Sequence, residues 1–154
     1  MKADLLEIIR SELRGQLDRL ARAASAAHAA ATDPGSKAES KYDTRSLEES
    51  YLATGQARQV RELAANLQAF DNIKPRAFDN DDEIDAGALV ETKRKGQRKA
   101  AYFFLAPAAG GLEVMLGKKE ITLLSPESPL YQNLLGKFTG DTLEMPPLTI
   151  SGIR

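Results

Sequence analysis

Between residues 4 and 70 the helical periodicity of this chain is broken only once, at Asp33-Pro34-Gly35-Ser36. Proline fixes φ, glycine takes up φ > 0, and the Asp and Ser side chains bond to nearby backbone, so these four residues turn a chain rather than extend a helix. Ser36 and Glu39 stand three apart. At that spacing the hydroxyl accepts a hydrogen bond from the third helical amide while the carboxylate reaches back to the cap amide. A second helix is therefore expected from Lys37, and the chain doubles back as an antiparallel helical hairpin.

Both arms of that hairpin carry their own stripe. From Asp4 to Ala31 the apolar positions Leu6, Ile9, Leu13, Leu17, Leu20, Ala24, Ala27 and Ala31 recur at three and four, and Arg10, Arg14, Asp18 and Arg22 fall on the other face. At about 1.5 Å per residue such a helix extends roughly 40 Å, longer than a compact domain of this size needs, so it is expected to project. Its last third is nearly all small side chains, which let a partner helix approach closely. The return helix, expected from Lys37 to Phe70, repeats the pattern through Leu47, Tyr51, Thr54, Ala57, Val60, Ala64, Leu67 and Phe70, with Gly55 as a weak point of about 1 kcal/mol relative to alanine. Each stripe is narrow. The arms should stabilise each other as a two-stranded antiparallel coiled coil spanning residues 1–72.

The next stretch, 73–85, reads as an acidic linker. Lys74-Pro75 breaks the helix, and Asp79, Asp81, Asp82, Glu83 and Asp85 crowd together. A calcium loop needs glycine at its sixth position and glutamate at its twelfth; counted from Asp79 these are Ile84 and Val90. A solvated connector is the expected reading.

From residue 86 the pattern shortens to strands. Ala88–Glu91 and Ala101–Leu105 flank the polar turn Lys93-Arg94-Lys95-Gly96-Gln97-Arg98-Lys99, and Leu112–Leu116 and Ile121–Leu124 flank Gly117-Lys118-Lys119. Ser125-Pro126-Glu127-Ser128-Pro129 supplies a helix cap with proline at the first helical position, Leu130–Leu135 a short helix, and Gly136 its end. Thr142–Met145 and Leu148–Ile153 complete an antiparallel sheet. The fold class is α+β, with residues 86–154 as the sheet domain. The basic turn is expected to be a solvated tip that shields a sheet edge, with contact to RNA or an acidic surface as the alternative. Tyr102, Phe103 and Phe104 are expected in the core, with stacking on nucleic acid as the alternative, and His28 on the hairpin surface or seam.

Composition narrows the chemistry. With 21 basic and 22 acidic side chains the net charge is −1, so any contact with nucleic acid must be local. The absence of cysteine and the presence of one histidine exclude disulfides, thiolate catalysis and Cys- or His-rich metal sites. No apolar run approaches the ~20 residues of a membrane span. A cytoplasmic protein without membrane contact is expected.

Three segments in order, Ile84-Asp85-Ala86-Gly87-Ala88, Ser125-Pro126-Glu127-Ser128-Pro129-Leu130 and Leu134-Leu135-Gly136-Lys137-Phe138-Thr139-Gly140-Asp141, resemble motifs of the bacterial GreA/GreB transcript-cleavage factors and their shorter relatives. The resemblance covers nearly the whole chain. It implies a sheet domain of the FK506-binding-protein type that docks on RNA polymerase through Ser125, Pro126, Ser128, Pro129, Gly136, Lys137, Gly140 and Asp141. It also implies a transcription elongation role, DNA binding, a monomer, an arm entering the secondary channel, and indirect contact with nascent RNA. In the family an Asp and a Glu three residues later at the arm's tip help hold a second magnesium of the polymerase. Glu39 matches the Glu when Gly55 is set on the family's glycine, but the Asp position falls on Ser36. Asp33 and Asp43 lie nearby, and Lys37 and Lys41 add positive charge. Weak or absent stimulation of cleavage is expected, with no catalysis by the chain itself and no cofactor beyond magnesium shared with polymerase. The bland readings are a capping partner for Glu39 and a turn residue for Asp33. Proficient cleavage through Asp33 and Glu39, an adaptor that never touches polymerase, and a prolyl isomerase are the alternatives.

Overall fold

The computed structural model describes residues 1–31 and 56–154, with the side chains of 1–23 and 56–154. The Asp33–Ser36 turn, the helix start at Lys37 and Gly55 lie outside the described residues. The elements are α1 (Lys2–Ala31), α2 (Gln56–Asp71), β1 (Leu89–Lys93), β2 (Ala101–Leu105), β3 (Glu113–Leu116), β4 (Lys119–Leu124), α3 (Pro129–Leu134), β5 (Thr142–Glu144) and β6 (Pro147–Ile153). The class is α+β. Contacts divide the chain into a unit of Ser11–Gln68 and a unit of Met1–Arg10 with Ala69–Arg154. The expected linker, 73–85, thus falls within the sheet-bearing unit.

In the helical unit the stripe of α1 continues as Leu13, buried, and Leu17 and Leu20, half-buried, while Arg14, Asp18 and Arg22 are exposed as the periodicity requires. On α2 the stripe runs Ala57, Val60, Leu63, Leu67. Ala64, expected in it, is exposed. Steps of three from Ala57 reach Leu63, and a leucine removes more apolar surface from water than an alanine. Leu20 and Ala23 of α1 and Gln59 and Leu63 of α2 line one shallow groove, so the two helices run side by side here. Their outer faces carry ion pairs along each helix, such as Arg58 with Glu62 at 3.0 Å, which contribute at most a few tenths of a kcal/mol each.

The sheet-bearing unit has six strands in the order β3-β4-β2-β1-β6-β5. Five neighbouring pairs make it, and the β2–β4 pair is parallel, Tyr102 against Ile121 through Leu105 against Leu124. The sheet is therefore mixed and not antiparallel throughout. The cause is that the β3–β4 hairpin does not stack beyond β2 in sequence order: β3 takes the edge and β4 pairs with β2. Alternation sends Val90, Leu105, Leu124 and Ile150 to one face, where they pack with Tyr131 and Leu134 of α3. It sends Leu89, Phe104, Ile121 and Leu123, all fully or nearly fully buried, to the other. Leu5, Leu6, Ile9 and Phe70 are buried in the same unit. Phe104 is core as expected, and Phe103 packs at the edge of the first cluster. Thr92, fully buried, satisfies its hydroxyl by donating to the Ala101 carbonyl at 3.1 Å.

Arg10 departs from its expected place on the solvated face. Its guanidinium donates to the Phe70 carbonyl at 2.7 and 3.1 Å and to the Ile73 carbonyl at 3.1 Å. A helix ends with carbonyls that have no partner in the helix, and α2 has no basic residue in its last turn. Arg10 supplies the missing cap from α1.

Candidate docking surface around the third helix

The three motif segments, far apart in sequence, meet beside α3. The Ile84 amide donates to the Lys137 carbonyl at 2.8 Å and the Gly136 amide to the Ile84 carbonyl at 2.9 Å, a two-bond clamp that ties the first motif to the third. Ile84 and Ala88 share a core cluster with Tyr131 and Leu134, against which Leu130 and Leu135 pack. The acidic side chains at 79, 81, 82 and 83 are exposed, yet the main chain under them is held: the Asp79 amide donates to Asp82, and Asn80 Oδ1 accepts from the Ile153 amide at 3.1 Å. Asp85 takes a 2.9 Å ion pair from Arg76.

Local rules explain most of the motif residues. Ser128 is the cap residue of α3 with Pro129 at the start, but its hydroxyl makes no capping bond; the Gln132 amide reaches the Ser128 carbonyl instead. Ser125 accepts the Ser128 amide on its carbonyl, and its hydroxyl holds the Glu127 carboxyl below the usual range. Gly110 approaches Ser125 so closely that an added Cβ would lie 2.5 Å from its Oγ. Gly136 and Gly140 adopt φ of 78° and 93°, left-handed values that other residues resist. Just after them Asp141 closes the loop, its carboxylate accepting the Phe138 amide at 2.8 Å, while the Gly140 amide donates to the Ile150 carbonyl and the Ile150 amide to the Asp141 carbonyl, which ties the loop to β6. Of the eight residues expected to dock, Pro126, Pro129, Gly136 and Gly140 are exposed, and Ser125, Ser128, Lys137 and Asp141 are half-buried.

One apolar side chain stands outside the glycine-bounded loop. Phe138 is 45% exposed although it is aromatic, because a loop with left-handed glycines on both sides offers it no strand face to bury on. That residue was quoted in the motif but not singled out, and the signal was there: an aromatic side chain between two turn glycines. Met145, 84% exposed before the cis Met145-Pro146 bond, had no such signal.

A cleft of about 530 Å³ opens between the acidic segment and the end of α3, lined among others by Arg76, Phe78, Asp82, Asp85 and Gly136. The Phe78 ring has two cations over it, Lys2 at 4.6 Å and Arg76 at 4.7 Å from its centre. Lys2 donates to the carbonyls of Arg76 and Arg154. Burial, with the Arg76 charge, lowers its ammonium to about 8. Burial, and then the Asp85 charge, push the Tyr131 phenol up. Among the described residues no three His, Cys, Asp or Glu side chains gather as a metal ion requires. The arrangement is a surface whose main chain is held by hydrogen bonds. The tip candidates Asp33, Lys37, Glu39, Lys41 and Asp43 lie outside the described residues.

No protein-family description matches the sequence, and no curated protein does. Among solved structures the chain is similar to the GreA factor homolog 1 (Gfh1) protein of Thermus thermophilus, with 18% identity over 94% of each chain and a TM-score of 0.36. It is similar also to Gfh1 of Thermus aquaticus, with 18% identity over 94% of this chain and 92% of that one and a TM-score of 0.36.

Proposed function

We propose that this chain is a transcription elongation factor-like protein that binds bacterial RNA polymerase, docking by the surface around α3 and placing its helical arm in the secondary channel. The observation that supports this reading is the assembly of the three motif segments into one surface, clamped through Ile84, Gly136 and Lys137. A surface already held by backbone bonds loses little conformational freedom on binding, which favours a docking role. Any cleavage chemistry belongs to the polymerase. A second magnesium needs hard oxygen ligands close by, and Glu39 with Lys37 and Lys41 beside it in sequence supplies too little negative charge to hold one well. Stimulation of cleavage is therefore weak or absent, and occupancy of the channel is the effect.

Two measurements test the proposal. Capture of purified RNA polymerase by the tagged chain is expected, reduced at least tenfold by Phe138→Ser; no capture by the wild type overturns it in favour of an adaptor unrelated to polymerase. In a backtracked elongation complex, little added RNA cleavage is expected. Robust cleavage lost in both Asp33→Asn and Glu39→Gln would instead assign those two carboxylates to magnesium.

A further inference from the structure

Two basic turns that are separate in sequence meet at one end of the sheet. The β1–β2 connection carries Lys93, Arg94, Lys95, Arg98 and Lys99, and the β3–β4 turn brings Lys118 and Lys119. The parallel register, Tyr102 beside Ile121, continued backwards along both strands sets Lys99 beside Lys118. A groove of about 570 Å³ lies where they meet, lined by Lys99, Tyr102, Lys118 and Lys119. Six of the seven cations are exposed and Lys119 is half-buried. None forms an ion pair among the described residues. Glu113 and Glu120 also line the groove, but the cations outnumber them. So many unpaired like charges repel one another, and an extended polyanion would relieve that repulsion.

Charge alone does not choose between a nucleic acid and an acidic protein. The aromatic ring does. Tyr102 is half-buried at this same end, with the Lys119 ammonium 5.2 Å from its ring centre, so one face of the ring is within reach of a group from outside the core. An aromatic face beside a cation suits a base stacked next to its phosphate, which is how single strands are held without sequence preference. We propose that this end of the sheet binds single-stranded nucleic acid, the two basic turns taking the phosphates and Tyr102 one base, with Lys119 moving from the ring to the neighbouring phosphate. The site does not depend on polymerase binding, and it is tested without polymerase.

The test is fluorescence anisotropy of the full chain with labelled oligouridine and oligothymidine of about 12 nucleotides, within the ~4–16 range of such sites. Binding of either single strand is expected, with log Kd rising against log salt by about 0.7 for each phosphate engaged. The variant Arg94→Gln/Lys95→Gln/Arg98→Gln, on an exposed turn, should weaken binding at least tenfold and lower that slope by about 2. Tyr102→Leu should weaken it about fivefold or more with the slope unchanged, and Tyr102→Phe should restore it. No binding at low salt, binding indifferent to the triple variant, or a duplex held as tightly as the single strand would each overturn the proposal. So would polyglutamate bound as tightly as the oligonucleotides, or Tyr102→Leu equal to Tyr102→Phe; both reassign the turns to acidic surfaces in general.

Discussion

The first turns of α1 and its continuation past Arg10 look alike in sequence and differ in what they bury. Leu5, Leu6 and Ile9 are at most 1% exposed, and Leu13, the first apolar position past Arg10, is still at 1%, whereas Leu17 and Leu20, spaced by the same rule, are only half-buried. Periodicity says which face of a helix is apolar. It does not say how much lies against that face. The early residues belong to a unit with a six-stranded sheet and can lose all contact with water; the later ones belong to a unit where, among the described residues, a single partner helix covers a stripe. One helix thus carries both a core segment and a segment stabilised by a narrow seam.

Truncating side chains along that helix and on α3 is the hardest test of the contrast. Leu6→Ala and Leu134→Ala, both at 1% exposure or less, should each destabilise the protein by about 2–5 kcal/mol in urea unfolding. Leu20→Ala should cost less than half as much. Equal losses at Leu6 and Leu20 would erase the distinction between the two stretches.

A smaller effect should come from the residue at their junction. Arg10→Met keeps the aliphatic stem but takes the charged donor from the Ile73 carbonyl and leaves the Phe70 carbonyl with only the Ile73 amide at 3.3 Å, and a loss of about 1.5–3 kcal/mol is expected for a charged hydrogen-bond donor at a part-buried site. Amide hydrogen exchange should rise first at the end of α2. Unchanged stability would show that water replaces the guanidinium without penalty.

The smallest effect is electrostatic and belongs to the exposed segment of the sheet unit. The Arg76 hydrogen bond, helped by the Ala86 amide, holds the Asp85 carboxyl below its ordinary 3.8. The unfolded chain therefore binds this proton first as the pH falls, so the stabilisation is complete above 3.8 and is lost as the pH drops through the lower folded value. Asp85→Asn should flatten that part of the acid unfolding profile slightly. An unaltered profile would mean that solvent screens the Arg76–Asp85 pair completely.

How far the sequence was legible follows the same physics. Strand β2 lies where its short apolar run beside the polar turn put it, Ala101–Leu105, and the proline-led helix α3 starts one residue before its expected first leucine, since local signals fix both. The parallel β2–β4 pairing was not legible, because alternation identifies a buried face but names no partner strand. Arg10 was misplaced for a related reason: a long cation on the polar side of a wheel can still reach a carbonyl on another helix. At the candidate site the motif segments were recognised, but their letters alone did not separate Asp141, Gly136 and Gly140, which build the loop, from Phe138, which the loop displays.

The place of β6 in the sheet has a consequence for the chain as it is made. β6 pairs with both β1 and β5, and four strands and a helix are synthesised between β1 and β6. Until β6 emerges from the ribosome, β1 is paired only on its β2 side, and its other edge, next to the apolar residues Leu89 and Val90, is open to any strand that meets it. Closing so long a loop is slow relative to forming the local hairpins. The nascent protein therefore passes through an interval in which a half-built sheet with a sticky interior edge must be kept from its neighbours, and slowed translation after β5 would lengthen it.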